Sequence, residues 1–417
     1  MESHPELTSG RYAGSITFTT LKIKSYPQIK NMSKLLEQIN TAQKTNLERV
    51  CHYVGDKIDV SELSLDNYIS TENMIPARGG VMQASKLPVS GKVTKFKIND
   101  TLTSNIRPYF KKTWKATKNG GCSNDVLVFR PNNETELDKI FLYYALSKDS
   151  FFAYSMMSSH GTKMPRGDKD GIMKYEILLP DLPTQKKIAE ILSAYDAKIE
   201  NNNKIIKNLE ATAQVIFNEW FVSFCFPGYE KVKMVDSEMG EIPQGWEVSS
   251  VGELSKNHDS KRTPLSSMER NKRKGNIPYY GANGILDYID ESIFSGEYLL
   301  FAEDGTVKTS KNTPVIYLVD GDFWVNNHTH IISGNKVSNY FLYLSLCKIN
   351  VDQYITGGVQ PKITQQNLNS IPVLLPNKNI LGVFEKLINP IKSKIKLIEK
   401  ENAKLKESRD QLLAKLI

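Results

Sequence analysis

The most regular pattern in the chain is a spacing of apolar residues in alternating steps of four and three, sustained over two long segments. In the first it runs through Ile188, Leu192, Tyr195, Ile199, Asn202, Ile206, Leu209, Ala213, Ile216 and Trp220. In the second it runs through Phe384, Ile388, Ile391, Ile395, Ile398, Asn402, Leu405, Arg409, Leu412 and Leu416. Such spacing keeps one stripe of a helix turned toward a partner helix, so both segments predict long helices made for a helix-on-helix seam. Each seam carries one asparagine. An antiparallel pairing that sets Asn202 opposite Asn402 also sets Ile188 on Leu416, Leu192 on Leu412, Ile206 on Ile398 and Trp220 on Phe384. A buried amide pair fixes register at some cost in stability, which is the expected role of Asn202 and Asn402. Tyr195 opposite Arg409 is the awkward pair, and both are expected to reach solvent. Helices of roughly 33 residues would extend about 50 Å and hold two globular halves at opposite ends of a rod, related by a pseudo-twofold axis. The alternative is that each helix packs only on its own domain.

A duplication organises the remainder. Residues 163–180, KMPRGDKDGIMKYEILLP, correspond to residues 359–376, VQPKITQQNLNSIPVLLP. Pro165 falls on Pro361 and Pro180 on Pro376, an offset of 196 residues that continues without a gap through Ile172 on Leu368, Ile199 on Ile395 and Phe221 on Ile417. One offset held this long marks an internal repeat. VLVFRP (126–131), EYLLFAED (297–304) and TPVIYLVDGDFWV (313–325) read as strands with turns. DKIFLYYALSK (138–148) and SNYFLYLSLCKIN (338–350) read as matching helices at nearly the same offset. The expected fold is α+β: two similar β-rich domains at 46–182 and 237–377, each followed by a spacer helix, at 183–236 (with a linker) and 378–417. Residues 1–45 read as an N-terminal extension, with Met32 an equally suitable start.

Composition narrows the class. Apolar residues make up 40% and charged residues 24%, which is ordinary for a globular protein. The longest apolar runs, 140–146 and 298–302, are too short to span a bilayer, so no membrane association is expected. Cys51, Cys122, Cys225 and Cys347 are scattered without metal-ligand or redox spacing, pointing to a reduced cytoplasm. Net charge is +8, a modest attraction for polyanions. Its distribution is more telling. Lys92, Lys95, Lys97, Arg107, Lys111, Lys112, Lys115 and Lys118 form one cluster, and Lys261, Arg262, Arg270, Lys272, Arg273 and Lys274 another, one in each half.

These features resemble the specificity (S) subunits of Type I restriction-modification enzymes. The resemblance rests on the alternation of globular half and helix, on GEIPQGWEV (240–248), on PYYGANGILDYID (278–290) with AEDGTV (302–307) and WVNNH (324–328), and on LPTQKKIAEIL (182–192). It covers residues 46–417. It implies two target recognition domains, each reading one half of a bipartite double-stranded DNA site with a nonspecific spacer. It further implies that the two helices dock two methyltransferase (M) subunits, which methylate adenine with S-adenosylmethionine, and that ATP-driven restriction (R) subunits join them. The chain itself would bind no cofactor and catalyse nothing; S-adenosylmethionine, ATP and Mg would be held by partners.

Affinity for DNA should come from Lys and Arg on phosphates, and choice of sequence from a few side chains at base edges. In the first half the candidates are Lys92 and Lys95, then Ser104, Asn105, Arg107, Lys111 and Lys112 in a polar loop beside Tyr109. In the second they are Lys261, Arg262, Tyr279, Tyr280, Asn283, Lys308, Asn327 and His328. Tyr279 and Tyr280 fit a core position equally well, and Gly281 and Gly284 read as turn formers rather than phosphate cradles. Catalytic patterns are weak. NIPYY (276–280) has one proline where the NPPY of amino-methyltransferases has two, and no phosphate loop occurs. Pro180, Asp181, Asp196 and Lys198 spell a nuclease-like series, but Asp181 lies in a turn and Asp196 on the heptad helix. His328 and His330 lack a third metal ligand at useful spacing. The readings competing with a DNA reader are a coiled-coil adaptor and, less favoured, a metal-dependent nuclease.

Overall fold

The computed structural model describes residues 32–159 and 164–417. Lys163 of the repeated segment, and residues 1–31 of the proposed extension, lie outside the described residues. The chain divides into two compact units, the first ending at Ile199 and regaining Ala403–Ile417, the second formed by Glu200–Asn402. Both crossings fall inside helices, Leu182–Phe221 and Lys378–Leu416.

In the first unit, strand Gln43–Asn46 pairs antiparallel with Glu176–Leu179. The sequence assigns residues 32–45 to an extension, but helix Met32–Asn40 buries Leu35 and Ile39 in this unit's core. A four-stranded antiparallel sheet runs in the order Cys51–Tyr53, Val126–Pro131, Thr101–Ser104, Thr113–Lys115. Val126–Pro131 is almost wholly buried, which is why it reads as an unbroken apolar run rather than an alternating one. A smaller sheet orders Lys57–Asp59, Lys92–Phe96, Gly120–Cys122 and Tyr68–Ile69. Helix Lys139–Ala145 starts where Asp138 accepts hydrogen bonds from the Ile140 and Phe141 N–H groups, the usual repair of orphaned donors at a helix start. Its buried face (Phe141, Leu142, Tyr144, Ala145) shares one core with Ile188 and Leu192 of the first long helix and Leu413 and Leu416 of the second.

The second unit contains a six-stranded sheet in the order Ser255–Asn257, Thr329–Gly334, Phe294–Ala302, Ile316–Val325, Lys274–Gly281, Gly284–Ile289. Its single parallel contact sets Tyr279 beside Trp324. The main sheets differ, but several elements recur in both units. Strand Glu247–Ser250 pairs with Pro372–Leu375 as Gln43–Asn46 does with Glu176–Leu179. Helix Asn339–Leu346, capped by Ser338, matches Lys139–Ala145. Short helices Lys169–Met173 and Gln365–Asn369 stand at the 196-residue offset, and so do the starts of the two long helices.

The long helices span 40 and 39 residues, longer than their heptads alone indicate. Pro390, inside the second, lies outside the heptad positions and passed unnoticed in the spacing. In the second unit the two helical segments meet as the antiparallel register requires. Asn202 Nδ2 donates to Asn402 Oδ1 at 2.9 Å and to Glu401 at 3.0 Å, and Asn402 Nδ2 donates to Asn203 at 2.9 Å. The Trp220 and Phe384 rings lie 5.8 Å apart. Within the first unit, Arg409 does not reach out to solvent. Its guanidinium donates to Asp196 at 2.7 Å, and the Tyr144 hydroxyl donates to the same carboxylate at 2.6 Å. Tyr195 is likewise buried. The awkward pair is thus resolved by a neighbouring acid.

Replacing Asn402 alone by Leu should lower stability by roughly 1–3 kcal/mol, because the Asn202 amide then faces an apolar partner. Asn202→Leu with Asn402→Leu should recover that loss or exceed it. Chemical denaturation of the three variants checks this; additive losses would mean that the two amides do not act as a pair.

Candidate nucleic-acid interface

In the first unit, strand Thr101–Ser104 runs out of the sheet into a loop whose backbone is anchored on both sides. Asn105 C=O accepts the Gly167 N–H at 3.1 Å, Arg107 N–H donates to Pro165 C=O at 2.8 Å, and Ile106 forms an isolated bridge with Arg166. Gly167 is needed for this approach, since a Cβ there would stand 2.7 Å from Asn105 Oδ1. The loop turns through Pro108–Phe110, bracketed by Arg107 and Lys111 in left-handed conformation. Ala77 and Arg78, also left-handed, brace it: Ala77 N–H donates to Phe110 C=O at 2.8 Å and Arg78 N–H to Lys111 C=O at 2.9 Å. Left-handed backbone costs a side-chain-bearing residue roughly 1–2 kcal/mol, and such strain gathers where side-chain placement matters more than stability. The cations are unevenly matched. Arg78 and Lys111 share Asp149, and Lys112 donates to the Thr71 carbonyl at 2.6 Å. Among the described residues, neither Arg107 nor Lys112 has an acidic partner, and Arg107 Nε and Asn105 Oδ1 are buried without a hydrogen-bond partner.

The second unit builds the same platform. Gly305 N–H donates to Pro361 C=O at 3.0 Å, Ile363 N–H to Glu303 C=O at 2.8 Å, and Asp304 bridges Lys362. Pro361, Lys362 and Ile363 are Pro165, Arg166 and Gly167 moved by the repeat offset. Gly305, with φ +80°, takes the left-handed position that Arg107 occupies in the first unit. Under this loop lies an ion-pair network. Arg262 reaches Glu303 at 2.6 Å and the Thr329 carbonyl at 3.0 Å, Lys362 reaches Glu303 at 3.0 Å, and His330 reaches Asp259 at 2.5 Å. Asp259, Glu303 and His330 supply the set of three potential metal ligands that spacing along the chain could not reveal. The same carboxylates already carry Arg262 and Lys362, while His330 Nε2 faces the Ile363 carbonyl at 2.8 Å. The arrangement suits an internal charge network better than a cation site.

Several residues expected at base edges are structural. Ser104 and Asn105 are buried, and Ser104 Oγ donates to the Ile106 carbonyl within the loop. Arg262 is spent on Glu303 and on carbonyls. Tyr279 is 1% exposed, its hydroxyl accepting the Leu265 N–H at 3.0 Å, and Tyr280 packs its ring on Phe323. The parallel strand contact with Trp324 is what draws Tyr279 inward. Lys92 and Lys95 belong to the smaller sheet rather than the loop. Asn283 is exposed in a two-residue hairpin turn that Gly284, at φ +100°, makes possible. Asn327 and Lys261 are exposed; His328 contacts Asp304 at 2.8 Å and Lys308 pairs with Asp352 at 2.6 Å. Arg107, Lys111 and Lys112 are the candidates gathered on one strained loop. Sequence reasoning missed Arg78, Phe110, Asp259, Glu303 and Lys362. Lys362 was available, because it lies inside the repeat opposite Arg166. The nuclease series does not converge. Asp181 caps the first long helix by accepting the Thr184 N–H, and Asp196 is held by Arg409 and Tyr144.

Residues 51–211 and again 243–407 match the family model described as the Type I restriction modification DNA specificity domain. A putative type I restriction enzyme specificity subunit of Haemophilus influenzae is 37% identical over 131 residues, covering 31% of this chain and 33% of that relative. A type I restriction enzyme specificity subunit of Methanocaldococcus jannaschii is 26% identical over 298 residues, covering 66% of this chain and 68% of its own length. A crystal structure of a Type I restriction-modification S subunit from M. genitalium aligns with 91% of this chain and 97% of its own, at 17% identity and a TM-score of 0.47.

The network in the second unit has a pH signature. Burial pushes the Asp259 carboxyl up, but the His330 ring, the Ile331 N–H and Arg262 outweigh it; for Glu303, Arg262, His330 and Lys362 outweigh burial in the same way. Both carboxyls are therefore held below their usual range. Groups depressed on folding stabilise fully above their unfolded values, about pH 4, and that contribution is lost as falling pH passes the folded values. Thermal melting from pH 7 down to pH 3 should show stability dropping below about pH 4, with a shallower drop in Glu303→Gln. An unchanged slope in that variant would contradict the network's role.

Proposed function

Since the chain belongs to the Type I restriction-modification DNA specificity family, with two copies of its domain, we propose that it reads a bipartite double-stranded DNA site, one half per module. The observation that carries this reading is the loop platform built twice from the same backbone hydrogen bonds but tipped with different side chains. A constant scaffold bearing variable loop chemistry is how a fold is adapted to different sequences. Arg107, Lys111 and Lys112 supply phosphate contacts in the first module, and Asn283, Asn327, His328, Lys261 and Lys308 are the accessible polar side chains of the second.

In this reading the chain is a noncatalytic subunit of a cytoplasmic complex. The paired long helices seat two methyltransferase subunits, which bring S-adenosylmethionine to adenine, and restriction subunits contribute ATP- and Mg-dependent chemistry. The absence of a nuclease role is supported by the engagement of Asp181 in a helix cap and of Asp196 with Arg409. Among the described residues no helix is long and apolar enough to cross a membrane.

Affinity for DNA should fall steeply with salt, and Lys112→Ala should reduce the log–log salt slope by about one. A coiled-coil adaptor predicts no salt-dependent DNA binding at all. Exchanging residues 237–377 for those of a relative, followed by mapping methylated adenines in a genome expressing the complex, should change one half of the recognised sequence. Change in both halves would rule out independent modules.

A further inference from the structure

The two equivalent loops differ most at their tips. Residues 303–315 of the second module contain no aromatic side chain, whereas the first module's loop ends in Tyr109 and Phe110. These rings are 48% and 38% exposed, with centroids 4.6 Å apart. Single exposed apolar side chains are common; here two rings stand side by side on a turn whose backbone is fixed. The Phe110 and Lys111 carbonyls are held by the Ala77 and Arg78 N–H groups, and left-handed Arg107 and Lys111 fix the turn on either side. Where the second module meets the same backbone demand with Gly305, the first keeps an arginine.

Charge identifies what such a tip fits. Arg107, Lys111 and Lys112 flank the rings along the chain, only Lys111 among them pairing with an acid, Asp149, and the Lys112 ammonium lies 5.8 Å from the centre of the Phe110 ring. Exposed rings within a positive rim complement a ligand with both π-faces and regularly spaced negative charge, which describes nucleic acid. Resting on the DNA-reading function above, we propose that Tyr109 and Phe110 form a wedge that enters the base stack in the half-site of the first module, opening one step and bending the duplex there. Arg107, Lys111 and Lys112 hold the flanking phosphates. The second module reads its half-site without insertion. Opening a step is easiest at pyrimidine–purine sequences, so the wedge selects for such a step at a position no side chain reads by hydrogen bonding.

The test uses the full chain assembled with its partner subunits, on duplexes carrying its bipartite site as mapped by adenine methylation, with 2-aminopurine walked through both halves. Wild type should show a several-fold fluorescence rise at one step of the first half-site distinct from the methylated adenine, and none outside the methylated adenine in the second. Tyr109→Ala with Phe110→Ala should abolish that rise and weaken binding roughly ten- to hundredfold, while Tyr109→Phe should preserve both, because the rings rather than the hydroxyl act. If the double variant folds poorly by thermal melting, Tyr109→Ser carries the same readout. A rise that survives removal of the rings, or wild-type complex that binds without it, overturns the wedge and leaves the DNA-reading function standing. Failure of wild type to bind the duplex overturns both.

Discussion

A pair of amides inside an apolar seam fixes the register from which the rest of this architecture follows. A stripe of Ile, Leu and Phe defines a face but not an alignment, because sliding by one heptad sets similar residues opposite one another. Asn202 and Asn402 remove that freedom. When they meet, Nδ2 of one and Oδ1 of the other are satisfied; slipped by one heptad either way, Asn402 would face Leu209 or Tyr195 instead of its amide partner. The cost of an unmet buried amide, about 1–3 kcal/mol, is comparable with the loss of a core methylene or more. In the first unit, Arg409 and Asp196 impose a second constraint of the same kind, with the Tyr144 hydroxyl tying it to the globular core.

Upon this frame sits a duplicated recognition device. What the repeat conserves within the chain is backbone geometry: the strand end, the bridge to the residue after Pro165 or Pro361, and a left-handed residue immediately following that bridge. What differs is the chemistry mounted on it. One copy has aromatic rings and unneutralised cations, the other a glycine above a closed network of Asp259, Arg262, Glu303, His330 and Lys362. In the reading proposed above, separating rigid support from variable tip would let one fold address two different half-sites.

The features legible in the sequence were those with a period or a copy. Heptad spacing located both helices and their register, and the 196-residue offset exposed the duplication together with the strand–helix pairs at its edges. Individual side chains at the interface were less legible, for reasons visible in the structure. Ser104 and Asn105 look like polar loop residues, but the return of the chain at Gly167 buries them. Tyr279 is pulled inward by a parallel strand contact from 45 residues downstream, and Arg262 meets an acid 41 residues away. Such contacts have no local signature. Arg107 was identified for its charge, whereas its left-handed backbone becomes meaningful only beside Gly305.

Disulfide trapping reports on the helix register itself. In a background with Cys225 replaced by serine, Ile206→Cys with Ile398→Cys places two thiols opposite each other across the seam, while Ile206→Cys with Leu405→Cys sets them one heptad apart. With the two asparagines paired, the first pair should crosslink rapidly and intramolecularly under mild oxidation, and the second not at all. Equal crosslinking of both, or preference for the shifted pair, would contradict that pairing.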